Sequence, residues 1–188
     1  MAEITPKIYA DNIPVFCRYD KVIQTSKLNP NPSNPNRHTD AQIKMLLTVI
    51  KKNGWRQPIT VSNQSGMIVK GHGRLAAAKI GKIKEVPVEY QDYASYESEL
   101  ADLMADNRIS EFSEIDKKDL LNLFEQFDTG NIDFESCGYT EDEYEELAQF
   151  FDEKAEKTEK KDKKDITKCT KACCPLYGTD DCRGDANE

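Results

Sequence analysis

The apolar run Met67-Ile68-Val69 passes through Lys70 into Gly71-His72-Gly73-Arg74 and then into the alanine-rich segment 75–80, closed by Gly81. Of all stretches in the chain this one leaves the fewest options. A short apolar run bounded by glycine reads as a buried strand, and Leu75-Ala76-Ala77-Ala78 reads as helix. The turn also carries chemistry. Glycines let the backbone approach an anion, a new helix presents unpaired N–H groups, and Arg74 adds a planar cationic fork. Spacing alone leaves two readings open, a phosphate grip and a simple turn.

The flanking patterns alternate between sheet and helix. Val15-Phe16-Cys17-Arg18-Tyr19 has strand-forming residues, whereas Asn29-Pro30-Asn31-Pro32-Ser33-Asn34-Pro35-Asn36 excludes helix and central strand and predicts an ordered loop or extended arm. Thr39 and Gln42 have the spacing of a capping box. Ile43, Leu46, Leu47 and Ile50 then form one inward helical stripe, ended by Asn53-Gly54. Pro58-Ile59-Thr60-Val61 and Met67-Ile68-Val69, joined by Asn63-Gln64-Ser65-Gly66, read as an antiparallel pair. In Val86-Pro87-Val88 the proline argues for a strand start or a sheet edge. Helices are expected over 97–104, running into Ala105-Asp106-Asn107-Arg108, and over 120–127. A third is expected after Thr140, whose spacing to Glu143 fits another capping box, with Tyr144, Leu147, Phe150 and Phe151 along it. The fold class is α+β.

Charge divides the chain more sharply than hydrophobicity does. Residues 1–110 carry 15 basic and 11 acidic side chains, residues 111–153 carry 2 and 15, and residues 154–188 carry 9 and 8. Three parts follow: a domain over 1–110, an acidic helical extension over 111–153, and a charged linker with a cysteine-rich tail over 154–188. The acidic block repels a phosphate backbone, so DNA recognition by a helix of that block is disfavoured, while Lys44, Lys51, Lys52 and Arg56 remain available to touch nucleic acid. No apolar run approaches the roughly 18–20 residues of a spanning helix, and Met1-Ala2-Glu3 does not begin a basic-then-apolar leader. A cytoplasmic protein without membrane contact is therefore expected.

Cys17 and Cys137 stand alone and are expected to be reduced, buried and inert. Cys169, Cys173, Cys174 and Cys182 supply enough thiolates for a tetrahedral zinc (Zn2+) site, although adjacent Cys173 and Cys174 strain such a site. A reduced tail and intermolecular disulfides remain alternatives.

Leu28-Asn29-Pro30, the stripe from Ile43 to Ile50, Gly54-Trp55-Arg56-Gln57-Pro58-Ile59-Thr60-Val61, Gly71-His72-Gly73-Arg74 and Val86-Pro87-Val88 follow one another in the order of the ParB/sulfiredoxin superfamily. Over about residues 15–115 the chain resembles the N-terminal, nuclease-like domain of partition proteins. The resemblance implies a small mixed sheet flanked by helices, and a nucleoside triphosphate (ATP or CTP) whose phosphates are held by Gly71, His72, Gly73 and Arg74. Partition proteins carry Gly-Glu-Arg-Arg at this loop and sulfiredoxins Gly-Cys-His-Arg. Here His72 replaces the glutamate or cysteine, and without that thiol sulfinic-acid reduction is not expected.

Asp106-Asn107-Arg108 is similar to a second partition signature, which implies magnesium (Mg2+) on Asp106 and Asn107 and phosphate on Asn107 and Arg108. A helix C-terminus closing into a turn is the plainer reading of the same residues. The arrangement also resembles proteins of phages and mobile elements, which implies DNA or a DNA-modifying protein as partner. Self-association is left open. A phosphotransferase or nucleoside triphosphatase, with His72 or Asp106 as catalytic base, and a non-catalytic adaptor using its acidic helices are the rival functions.

Overall fold

The computed structural model describes residues 4–127 and 133–151, which fall into two compact units divided between Glu141 and Asp142. The first unit opens with a hairpin of β1 (Ile8–Ala10) and β2 (Ile13–Val15). Asp11 and Asn12 take positive φ at its tip, the conformation that the right-handed twist of a two-residue hairpin demands and that Asp and Asn tolerate. The strand expected over 15–19 is therefore displaced. Pairing ends at Val15 and resumes only at β3 (Lys21–Gln24).

A mixed five-stranded sheet follows, in the order β3, β7 (Glu85–Gln91), β5 (Ile59–Ser62), β6 (Met67–Lys70) and β4 (Asn29–Pro30). The β5–β6 pair is antiparallel, as its turn requires, and β5 runs parallel to β7. The proline-rich arm contributes only the two-residue edge strand β4, parallel to β6. Pro87 lies in an interior strand, but β5 joins β7 only from Val88 onward. At Pro87 the sole neighbouring strand is β3, so its missing N–H interrupts no ladder on the other side.

Helix α1 (Asp40–Asn53) is capped by Thr39, whose side chain accepts from Gln42 N–H, and packs against α2 (His72–Ile80). The helix α2 begins at His72, three residues earlier than its alanines suggest, so the grip residues are its first turn. Trp55, Ile59, Ile68, Val86 and Val88 are fully buried between the sheet and these helices. Each such side chain contributes about 1.5–3 kcal/mol on leaving water. Ile50 is buried and Ile43, Leu46 and Leu47 pack against the same core, as the stripe predicts.

The helix α3 (Tyr96–Glu111) starts at a capping box formed by Ser95 and Ser98 and continues unbroken through residue 110. Asp106, Asn107 and Arg108 thus lie inside a helix, not in a closing turn. Ser65 Oγ donates to the buried Glu99 at 2.7 Å, Lys70 pairs with Asp102 at 3.0 Å, and Leu103 is buried. Residues 99, 102, 103 and 106 share one helical face, so these anchors set the direction of Asp106.

The helices α4 (Lys117–Phe127) and α5 (Phe134–Cys137) follow, with Phe124 edge-on to both Phe134 and Tyr139. The short α5 packs on α1. There Lys52 Nζ meets Asp133 at 2.8 Å and Glu135 at 2.6 Å, and Asn53 Nδ2 donates to Ser136 O. Cys17 is buried as expected, but Cys137, at the end of this one-turn helix, is exposed. In the second unit residues through 151 are helical and Phe150 stacks edge-on with Phe151. Among the described residues no helix is long and apolar enough to cross a membrane.

Candidate functional site

β6 ends at Lys70, and Gly71, with φ +94°, reverses the chain directly into α2. A Cβ on Gly71 would lie 2.9 Å from Arg74 Nε and 3.0 Å from Nη2, because the guanidinium folds back over the turn. Only glycine satisfies both the backbone and that contact. Arg74 Nη1 donates to Gln57 Oε1, while Nε is buried and has no hydrogen-bond acceptor. A buried donor left unsatisfied costs about 1–3 kcal/mol, more when charged. Burial pulls the Arg74 pKa down and Asp106 pulls it back up. A guanidinium nevertheless stays charged at any physiological pH, so the pocket holds a cation short of one acceptor.

This turn forms one wall of a cleft of about 300 Å³. Asp106 and Asn107 of α3 line it too, and Asn34 and His38 from the segment before α1 complete the rim. Asn107 Nδ2 donates to Asn34 Oδ1 at 3.1 Å, which leaves Asn107 Oδ1 available as an oxygen ligand beside the exposed Asp106 carboxylate. The two clusters picked out by sequence, 35 positions apart or nearly so, therefore share one cavity. Arg108 does not line it; its guanidinium lies over the Phe112 ring at 4.2 Å.

His72 points back toward the proline-rich arm, where its Nε2 accepts the Asn31 N–H at 3.2 Å. An imidazole accepting at Nε2 is neutral with its proton on Nδ1. Burial, and then the proximity of His38, hold its pKa below the usual histidine value. A base acting through Nε2 is thus not free while the arm is in place. Gly73 is buried, and a Cβ there would lie 3.2 Å from His38 Nε2.

Magnesium and triphosphate fit this donor set. A hard cation takes one or two protein oxygens, which Asp106 and Asn107 provide, plus phosphate and water, and the enclosed Arg74 Nε has a donor to spare for a phosphate oxygen. Among the described residues no group of three or more His, Cys, Asp or Glu side chains is placed to hold a metal by itself. Cys169, Cys173, Cys174 and Cys182 lie outside the described residues. Burial pushes the Cys17 thiol pKa up, so no activated sulfur replaces the one missing from the turn.

His38, Asn34 and Gln42 were not foreseen as site residues. His38 is one of two histidines in the chain, and Asn34 belongs to an asparagine repeat, which were the available signals. Their meeting with α2 is tertiary.

The ParB N-terminal domain family matches residues 15–108. The probable chromosome-partitioning protein ParB of Rickettsia prowazekii is 33% identical over 87 residues, 46% of this chain and 30% of that protein. The chain thus spans under a third of that relative's length. The ParB-like nuclease domain-containing protein YnaK of Escherichia coli is 37% identical over 62 residues, 33% of this chain and 70% of that one. A solved structure of C-terminally truncated chromosome-partitioning protein ParB from Caulobacter crescentus, complexed with CTP-gamma-S, has a TM-score of 0.52 at 22% identity, covering 64% of this chain and 71% of the other. With the match running from Val15 to Arg108, through both the α2 turn and the α3 wall of the cleft, the chain belongs to the ParB N-terminal domain family.

Proposed function

We propose that the cleft between α2 and α3 binds a nucleoside triphosphate with magnesium, and that occupancy switches association with DNA or a DNA-handling partner. The observation that carries this is the half-buried Arg74 side chain, whose enclosed Nε lacks an acceptor, in the same cavity as the Asp106 and Asn107 oxygens. Gly71 and Gly73 keep the α2 N-terminus open to phosphate, and the helix dipole adds to the attraction. Magnesium on Asp106 and Asn107 would offset phosphate charge.

A ligand that touches both α2 and α3 links segments distant in sequence, so its binding biases the position of α3 and of whatever follows it. The partition relative acts on chromosomes by its name, which supports a DNA-handling partner. Because the solved relative carries CTP-gamma-S, CTP is the first nucleotide to test. Binding is favoured over phosphoryl transfer because His72 Nε2 is already an acceptor for Asn31.

Calorimetric titration with CTP, ATP, GTP and ADP, each with magnesium, tests the proposal. Saturable binding of at least one triphosphate, steeply weakened by Arg74→Ala, is expected. No heat and no thermal shift with any of the four would overturn it. Turnover only in the presence of an added acceptor would favour the phosphotransferase instead.

A further inference from the structure

The two histidines of the chain sit at the same cleft in opposite circumstances. The Nε2 of His72 is spent on the arm, as an acceptor for Asn31 N–H. His38 is held by its other nitrogen, with Nδ1 3.1 Å from Gln42 Oε1. An amide oxygen only accepts, so His38 Nδ1 carries the proton in that contact and Nε2 is left over. That free nitrogen lies against the first turn of α2, 3.2 Å from where a Cβ of residue 73 would be, with Cε1 at 3.3 Å and Leu46 Cδ2 at 3.4 Å. A Cβ at position 73 would press on the ring and force it to give by a few tenths of an ångström. Gly73 is therefore the seat of the His38 imidazole, and it costs the turn its third side chain.

We infer that His38 is a further phosphate-binding residue of this cleft, its Nε2 donating to the nucleotide when protonated and so coupling nucleotide affinity to proton uptake. The inference rests on the nucleotide reading proposed above and adds a ligand contact and a pH response to it. The titratable and charged groups sharing the cleft with His38 are His72, Arg74, Lys70 and Asp106. Lys70 is committed to Asp102, and His72 is neutral in its contact with the arm. Arg74 is the cation short of an acceptor. Even beside a magnesium ion, one guanidinium leaves a triphosphate with negative charge to spare, and a cationic ring next to it supplies a second charge-assisted hydrogen bond. In the neutral tautomer that the Gln42 Oε1 contact selects, Nε2 presents a lone pair to the phosphate instead of a donor. The same atom therefore favours the ligand at low pH and opposes it at high pH.

The experiment measures the affinity for CTP with magnesium at pH 6, 7 and 8, for the unaltered chain and for His38→Gln, which keeps a polar side chain of similar reach without titrating. Because the ligand is the same, its own protonation is common to both proteins. The unaltered chain is expected to gain about tenfold more affinity than His38→Gln between pH 8 and pH 6, from one linked proton. Parallel pH profiles, or affinities within twofold at every pH, would overturn the role of His38 while leaving the nucleotide site standing. Absence of nucleotide binding by the unaltered chain would remove both. Should His38→Gln fail to fold, the histidine ring resonances of the unaltered protein decide. An upward move of the His38 titration midpoint on adding CTP supports the role, and an unmoved midpoint refutes it.

Discussion

Helix α2 has a cleft at each end, and the two differ instructively. The one at its C-terminal end is larger, about 650 Å³, and is lined by Lys79, Lys82 and Lys84 together with Asp11, Thr25 and Glu85. The one at its N-terminal end is about 300 Å³ and has fewer cations. By size and lysine content the larger cleft is the better anion trap. By physics it is the worse one. It faces the negative pole of the helix, its lysines are exposed, and Asp11 and Glu85 counter them. The smaller cleft has the positive pole, a glycine turn that a Cβ would fill, and a guanidinium whose enclosed Nε lacks an acceptor. Unmet hydrogen-bonding demand at an enclosed donor, more than cavity volume or lysine number, is what singles out the proposed site.

The sharpest way to break this comparison is to remove a cation from each end. Arg74→Ala is expected to weaken triphosphate binding by roughly 100-fold, about 2–3 kcal/mol, since it deletes a charged donor whose Nε is enclosed. Replacing Lys79, Lys82 and Lys84 together by Ala should stay within about twofold, read by the same calorimetry. Gly71→Ala comes next. The left-handed φ alone costs roughly 1–2 kcal/mol, measured by chemical denaturation, and the displaced guanidinium lowers affinity as well. Asp106→Asn should leave the fold intact and reduce magnesium-dependent affinity by about tenfold, with little change when magnesium is chelated.

The smallest expected effect concerns His72 and pH. Its folded-state pKa is depressed, so the neutral ring contributes stability that is present above the unfolded value of about 6.5 and is lost as pH falls through the folded value. Melting of the unaltered chain should therefore drop by about 2 °C more than that of His72→Gln between pH 7.5 and pH 5. Equal drops would mean that the Asn31 contact contributes nothing.

What could be read from sequence was local. The Asn53-Gly54 stop, the β5–β6 turn and the inward stripe of α1 depend on residues within a few positions of one another, and each is where its pattern puts it. The strand–turn–helix junction was legible too, although glycine and histidine have weak helix propensity and concealed that α2 starts at His72. The Asp11-Asn12 hairpin was passed over because its strands are only three residues each. In the site, Arg74, Asp106 and Asn107 were readable as chemistry, but their partners were not. Asn34 and His38 reach the cleft from the segment before α1, and Gln57 meets Arg74 from the segment before β5, so their positions follow from how the arm, α1 and β5 pack. Arg108 shows the reverse. A basic residue adjacent to the signature falls on a different face of α3, because one residue turns a helix by about 100°.

The most direct test is a crystal structure of the chain with CTP and magnesium. Phosphate oxygens within hydrogen-bonding distance of Arg74 Nε, with the metal between them and the Asp106 and Asn107 side chains, are the expected result. A nucleotide seated among Lys79, Lys82 and Lys84, with Arg74 Nε still lacking an acceptor, would contradict the assignment of the site.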